Sequence, residues 1–233
     1  AYKTATNAAN NYAGGGGGGG GVIVKFNIKF DEDRLNPYSI FAGAASQTAS
    51  ITGTQPEEGQ PSWIKRPNGS TMYEAFGGAP GQTAWGVPPP TSHMEGTFGS
   101  GGGNATNQGD STTTLTVPYK GSWTPGQGHK GGSGSYSSQG SGGGGGYMGP
   151  GANGGRQTTA ASDVTSSWPG NGGDGLVIRF NGAENHHGYG PGGGGATYNS
   201  GRVGLGGAGG GIPGLYNANG DLLSTSAQFG FGA

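Results

Sequence analysis

The chain has no cysteine, so it can contain neither a disulfide nor a thiolate zinc site. Charge is scarce. Only 10% of the 233 residues are charged, and 11 basic side chains nearly balance 12 acidic ones. That near-neutrality lacks the electrostatic footprint of a nucleic-acid binder, and no basic run suits an anionic membrane surface. Apolar residues make up 29% of the chain and never form a long run. A membrane-spanning helix is therefore not expected, and no secretory leader is visible. Low hydrophobicity often marks disorder, but disorder usually comes with high net charge, which is absent here. No segment keeps a helical period.

What the chain has instead is glycine: 60 residues, against an average usage of about 7%. Residues 12–30 read "YAGGGGGGGGVIVKFNIKF", eight consecutive glycines set directly against a strand-like run. Flexible linkers mix glycine with serine and show no spatial period. Here Gly140, Gly143, Gly146 and Gly149 recur every third residue, as do Gly201, Gly204, Gly207 and Gly210. Three residues per turn is the period of the polyproline II helix, which has no internal hydrogen bonds. Ordering one backbone residue costs about 1–2 kcal/mol, with glycine at the unfavourable end, while a hydrogen bond returns about 0.5–1.5 kcal/mol net. A lone tract cannot hold itself in place. A lattice of tracts can, because backbones without Cβ atoms approach closely and satisfy one another's N–H and C=O groups.

Period-two alternation predicts three strands. Residues 22–30 place Val22, Val24, Phe26, Ile28 and Phe30 on one face. Residues 112–120 do so with Leu115, Val117 and Tyr119, and residues 175–181 with Leu176, Ile178 and Phe180. The first and third are nearly one motif: "GGGVIVKFN" at 19–27 matches "GDGLVIRFN" at 173–181, which indicates a repeated glycine-tract–strand unit. Residues 31–95 are more ordinary; "DEDRLNPYSIFAGAAS" suits a short helix or strands, and the stretch from Pro61 to Pro90 reads as loop-rich. The expected division is a 1–95 region of glycine tract, strand and loops, followed by a 96–233 glycine-rich domain.

Residues 111–181 run "STTTLTVPYKGSWTPGQG…GGGGGYMGPGANGG…WPGNGGDGLVIRF". This stretch resembles the glycine-rich domains of bacteriophage tail-fibre and other virion proteins. Residues 140–211 are similar to the polyglycine-II scaffold of T-even-type phage adhesins, which sit at the fibre tip and bind host receptors. The resemblance implies a mostly-β fold with polyproline-II or polyglycine helices, a β-sandwich-like scaffold and almost no α-helix. It also implies a place on the surface of the extracellular virion. The partners to expect are other virion subunits, further copies of the chain, and a host-surface protein or glycan. No nucleic acid, membrane insertion or cofactor is expected.

Sites with chemistry are few. Gly126–Gly131 matches the dinucleotide fingerprint G-x-G-x-x-G, yet "SWTP" before it and "GSGSYSSQG" after it supply neither strand nor helix, so chance explains it. His186 and His187 lie near Glu184, but neighbours on an extended chain point to opposite faces and rarely chelate together. An exposed loop is the plainer reading. Asp31–Asp33 lacks the spaced acids and central glycine of a calcium loop, and reads as a solvated strand end. No nucleophile elbow or other catalytic set assembles, so an enzyme is not expected. More suggestive are aromatic residues between the glycine blocks: Trp123, Tyr136, Tyr147, Trp168, Tyr189, Tyr198 and Tyr216. Tyr and Trp give rigid contact area suited to recognition loops, although capping the ends of a glycine lattice is the competing role. With His186 and His187 they form the candidate recognition set.

Two other classes fit part of the pattern. An ice-binding polyproline-II bundle would keep strict Gly-x-x spacing over most of its length, which bulky insertions such as 61–74 interrupt. A glycine-rich cell-wall or matrix protein would repeat more monotonously and carry no distinct strand motif.

Overall fold

The computed structural model describes residues 14–30, 37–44, 58–81, 98–103, 123–134, 140–156, 167–179, 186–195 and 204–211. Among them there is no helix. Three small antiparallel sheets occur: β1 (Ser39–Phe41), β2 (Ser62–Lys65) and β3 (Thr71–Ala75) in the order β1-β2-β3; β4 (Gly155–Arg156) with β5 (Ser167–Trp168); and β6 (Leu176–Arg179) with β7 (His186–Tyr189). The rest is extended glycine-rich chain, and this carries the fold.

The 140–146 tract lies at the centre, every residue of it buried. Gly16 and Gly19 of the 14–21 tract donate to the carbonyls of Gly142 and Gly145 (3.0 and 2.9 Å). His129 and Gly132 donate to Gly146 and Gly143, and Gly170 and Gly173 donate to Ser141 and Gly144. In return, Gly143, Gly144 and Gly145 donate to Ala152, Gly193 and Gly101. The central tract thus bonds to six others: 14–21, 98–103, 127–134, 149–154, 170–175 and 190–195.

Those six close a ring by bonding to one another. Gly103 donates to Gly16, Gly101 to His129, Gly151 to Lys130, Ala152 to Asn171, Gly192 to Gly173, and Gly193 to Gly17. Two further tracts fill notches on the outside. Residues 76–81 lie against 14–21 and 98–103, and residues 204–211 lie against 170–175 and 190–195. Six neighbours around one rod is hexagonal close packing. Only near-bare backbone permits it: a Cβ on Gly144 would run into the Gly17 carbonyl, and one on Gly143 into that of Asn171.

The bonds recur every third residue on both partners: Gly18 and Gly21 meet Ala79 and Phe76, and Gly172 and Gly175 meet Leu205 and Ala208. This matches the spacing of the glycine series in the sequence. Among the described residues the buried apolar side chains are few: Ala79, Phe98 and Pro191.

Several expectations need correction. Residues 22–30 join no sheet among the described residues, and the chain bends at Asn27, which sits at φ 54°. Their apolar face is open, with Phe26 84% exposed. Alternation marks a strand only where a partner supplies the ladder, and none of the described residues does so here. Within the stretch read as loop-rich, residues 62–75 form a β2–β3 hairpin, closed at Arg66–Ser70 with Gly69 at φ 82°, while residues 82–90 lie outside the described residues. The series Gly140 to Gly149 is not one straight tract, because Gly146 donates to the Gly149 carbonyl and the chain reverses at Tyr147–Met148. Tracts 14–21 and 76–81 are hydrogen-bonded into the same bundle as the later tracts. The strand read at 175–181 is present as β6. The one expected at 112–120 lies outside the described residues.

Candidate functional site

The order of the bonds gives each tract a direction, and the directions decide which connections share an end. Residues 14–21 run parallel to 140–146, whereas 127–134 runs opposite to both. At one end Gly21 donates to Phe76, Val22 to Gln127, Tyr147 to Gly190 and Met148 to Asp174. This Val22 end also carries residues 22–30, the β1–β3 sheet, Trp123 and the β6–β7 hairpin. At the other end Gly154 donates to Ser133, Gly195 to Gly170 and Gly204 to Gly195. There the β4–β5 pair leaves the bundle.

Gln127 ties the Val22 end together. Its backbone N–H donates to Thr124 and its carbonyl accepts the Val22 N–H. Its side-chain amide accepts the Phe76 N–H (2.9 Å) and donates to the Glu74 carbonyl (2.9 Å). An amide is both donor and acceptor, so it can stand in for a strand's peptide beyond β3.

A comparable substitution occurs at the bundle's flank. The Asn171 and Asp174 carboxamide and carboxylate oxygens accept the N–H groups of Leu205 and Ala208 (3.0 and 2.8 Å). The three-residue spacing of Asn171 and Asp174 equals that of Leu205 and Ala208, so side chains extend the lattice pattern past its last backbone acceptor.

The candidate recognition residues divide between the ends. Trp123, Tyr147, His186, His187 and Tyr189 belong to the Val22 end; Trp168 belongs to the opposite end, in β5. Trp123, Trp168 and Tyr189 are partly exposed, and His187 is exposed. Tyr136, Tyr198 and Tyr216 lie outside the described residues. His186 and His187 stand in β7 opposite Arg179 and Ile178, in a strand and not in a loop. No group of three His, Cys, Asp or Glu able to hold a metal ion occurs among the described residues. The Gly126–Gly131 stretch forms a turn, with Gly126 at φ 83°, followed by a lattice tract.

Sequence reasoning passed over much of what the Val22 end displays. Phe26 and Ile40 are 84% and 76% exposed, and Met148, Val177, Phe30 and Phe41 are exposed as well. Phe41 stacks on its register partner Trp63 (5.5 Å, 21°), and Lys65 Nζ lies 4.3 Å from the Trp63 ring centroid. Phe30 meets Tyr38 edge-on at 5.1 Å. A signal existed: with glycine backbones filling the interior, these large side chains have nowhere to be buried. No family model matches the chain, and neither a curated protein nor a solved structure matches it.

Proposed function

We propose that this chain is a non-catalytic structural and adhesive component of a virion: a tail-fibre, fibre-tip or capsid-decoration protein of a phage. In this reading the tracts are polyglycine-II helices forming a layered, sandwich-like scaffold. The scaffold displays aromatic and polar loops at its ends to a receptor or a neighbouring subunit.

The observation that carries the reading is the closed ring of six tracts around 140–146, with apolar and aromatic side chains collected at the ends. Such a bundle resists bending, because each tract is fastened to several neighbours along its length. The resemblance of residues 111–181 to glycine-rich virion domains points the same way. Exposed Leu205, His129 and Lys130 interrupt the flat faces of small residues that an ice-binding bundle needs.

The test is immunogold electron microscopy, with antibody against the purified chain, on the virions whose genome encodes it. Label at fibre tips or on the capsid is the expected result. Particles that contain no copy of the chain overturn the reading. Thermal hysteresis in a solution of the chain would also overturn it, in favour of ice binding.

A further inference from the structure

The near-repeat at 19–27 and 173–181 has two different fates in one molecule. In the second copy, Leu176–Arg179 pairs antiparallel with β7, which follows in the chain. In the first copy, Val22, Ile23, Val24 and Lys25 occupy the same motif positions but have no ladder partner among the described residues. Only Val22 of that stretch donates to a described backbone, at Gln127. Val24, Phe26 and Phe30 are exposed.

We infer that residues 22–30 are an assembly strand, pairing antiparallel with the same residues of a second copy about a two-fold axis through Phe26. The pattern is self-complementary in that register. Directly opposite residues in an antiparallel pair share a face. An axis at Phe26 sets Val24 against Ile28, Val22 against Phe30, and Phe26 against itself. On the other face Lys25 meets Asn27 and Ile23 meets Lys29. An axis one residue earlier would set Lys25 against Lys25; one residue later, Lys25 against Lys29. Axes between residues would set the apolar face of one copy beside the polar face of the other. Registers nearer Val22 run into Gly21 and Gly19, whose N–H groups are already committed to Phe76 and Gly145.

Asn27 sits at φ 54°, a region that Asn tolerates, and pairing in this register requires it to turn to extended geometry. Because the Val22 N–H is held by Gln127, the ladder is short, and alone it is small beside the roughly 800 Å² per partner of a stable interface. Ile40, Met148 and Val177, exposed at the same end, supply further apolar area. The inference deepens the subunit-docking half of the proposed function and rests on it for a reason to assemble. Its readout is stoichiometry, so virion labelling can fail while it stands, and the reverse.

The native chain lacks cysteine, which makes the test clean. Sedimentation of the full chain at tens of micromolar should show a dimer. Phe26→Lys, which sets like charges on the axis, should give a monomer that still melts cooperatively, at the temperature the native chain reaches when diluted below its dimer range. Mild oxidation of Phe26→Cys should yield a disulfide-linked dimer at least ten-fold faster than Lys25→Cys, whose thiols lie off the axis. A monomeric native chain, a dimeric Phe26→Lys variant, or equal cross-linking of the two cysteine variants overturns the inference.

Discussion

Gln127 grips Phe76 across 51 positions of sequence: its Oε1 accepts the Phe76 N–H at 2.9 Å, and its Nε2 reaches on to the Glu74 carbonyl. One side chain thereby ends the β3 edge and fastens that sheet to the glycine bundle. Truncating it leaves a part-buried N–H and C=O without these partners, at a cost of about 1–3 kcal/mol. Gln127→Ala should lower the melting temperature by several degrees and speed amide exchange at Phe76. Gln127→Glu keeps the acceptor for Phe76 but loses the donor to Glu74, so it should fall between the two.

The interior rejects a Cβ wherever one would point at a neighbouring carbonyl. Gly144 is such a position, its missing Cβ aimed at the Gly17 carbonyl. Gly144→Ala forces two main chains apart, and overpacking of this kind typically costs about 1–3 kcal/mol or more. Gly20 is the control, with nothing within 4 Å of the position its Cβ would take and no positive φ. Gly20→Ala should be neutral or stabilise by about 0.4–1 kcal/mol through the unfolded chain. Denaturant midpoints of the two variants should therefore move in opposite directions, or only the first should move.

Ser100 and Ser141 are fully buried, and neither Oγ has a hydrogen-bond partner. A buried unpartnered hydroxyl costs about 1–3 kcal/mol relative to none. Ser141→Ala keeps the Cβ that the lattice already accommodates and removes the orphaned oxygen. The variant should be as stable as the native chain or up to about 2 kcal/mol more so, by urea titration. A clear loss of stability would show that the hydroxyl has a partner.

At the flank, Asp174 Oδ1 accepts the Ala208 N–H at 2.8 Å. Asp174→Asn retains an acceptor at that position and should leave exchange of the Ala208 amide protected. Asp174→Ala should expose it, at a global cost of about 1–2 kcal/mol. Exchange rates at Leu205, held by Asn171, act as the internal reference.

The candidate site was only partly legible in advance. Tyr147 marks a turn between tracts, as its place between glycine blocks suggests, and the β6 motif forms a strand. The exposure of Phe26, Ile40 and Met148 was not read, because alternation and loop propensity both assume a side-chain core to turn toward. In this bundle the core is peptide, and large apolar side chains are pushed to the ends.

Local sequence was enough to establish that no helical period is sustained, that glycine tracts recur with period three, and that Leu176–Arg179 is a strand. Those properties follow from backbone sterics and side-chain alternation within a few residues. Tertiary structure decided which tract lies beside which, that 140–146 is central, that the Gly140–Gly149 series reverses at Tyr147, and that residues 22–30 stay unpaired. The reason is physical: one glycine's N–H and C=O are chemically the same as another's, so the bonds that build the lattice carry no label in the sequence naming their partner.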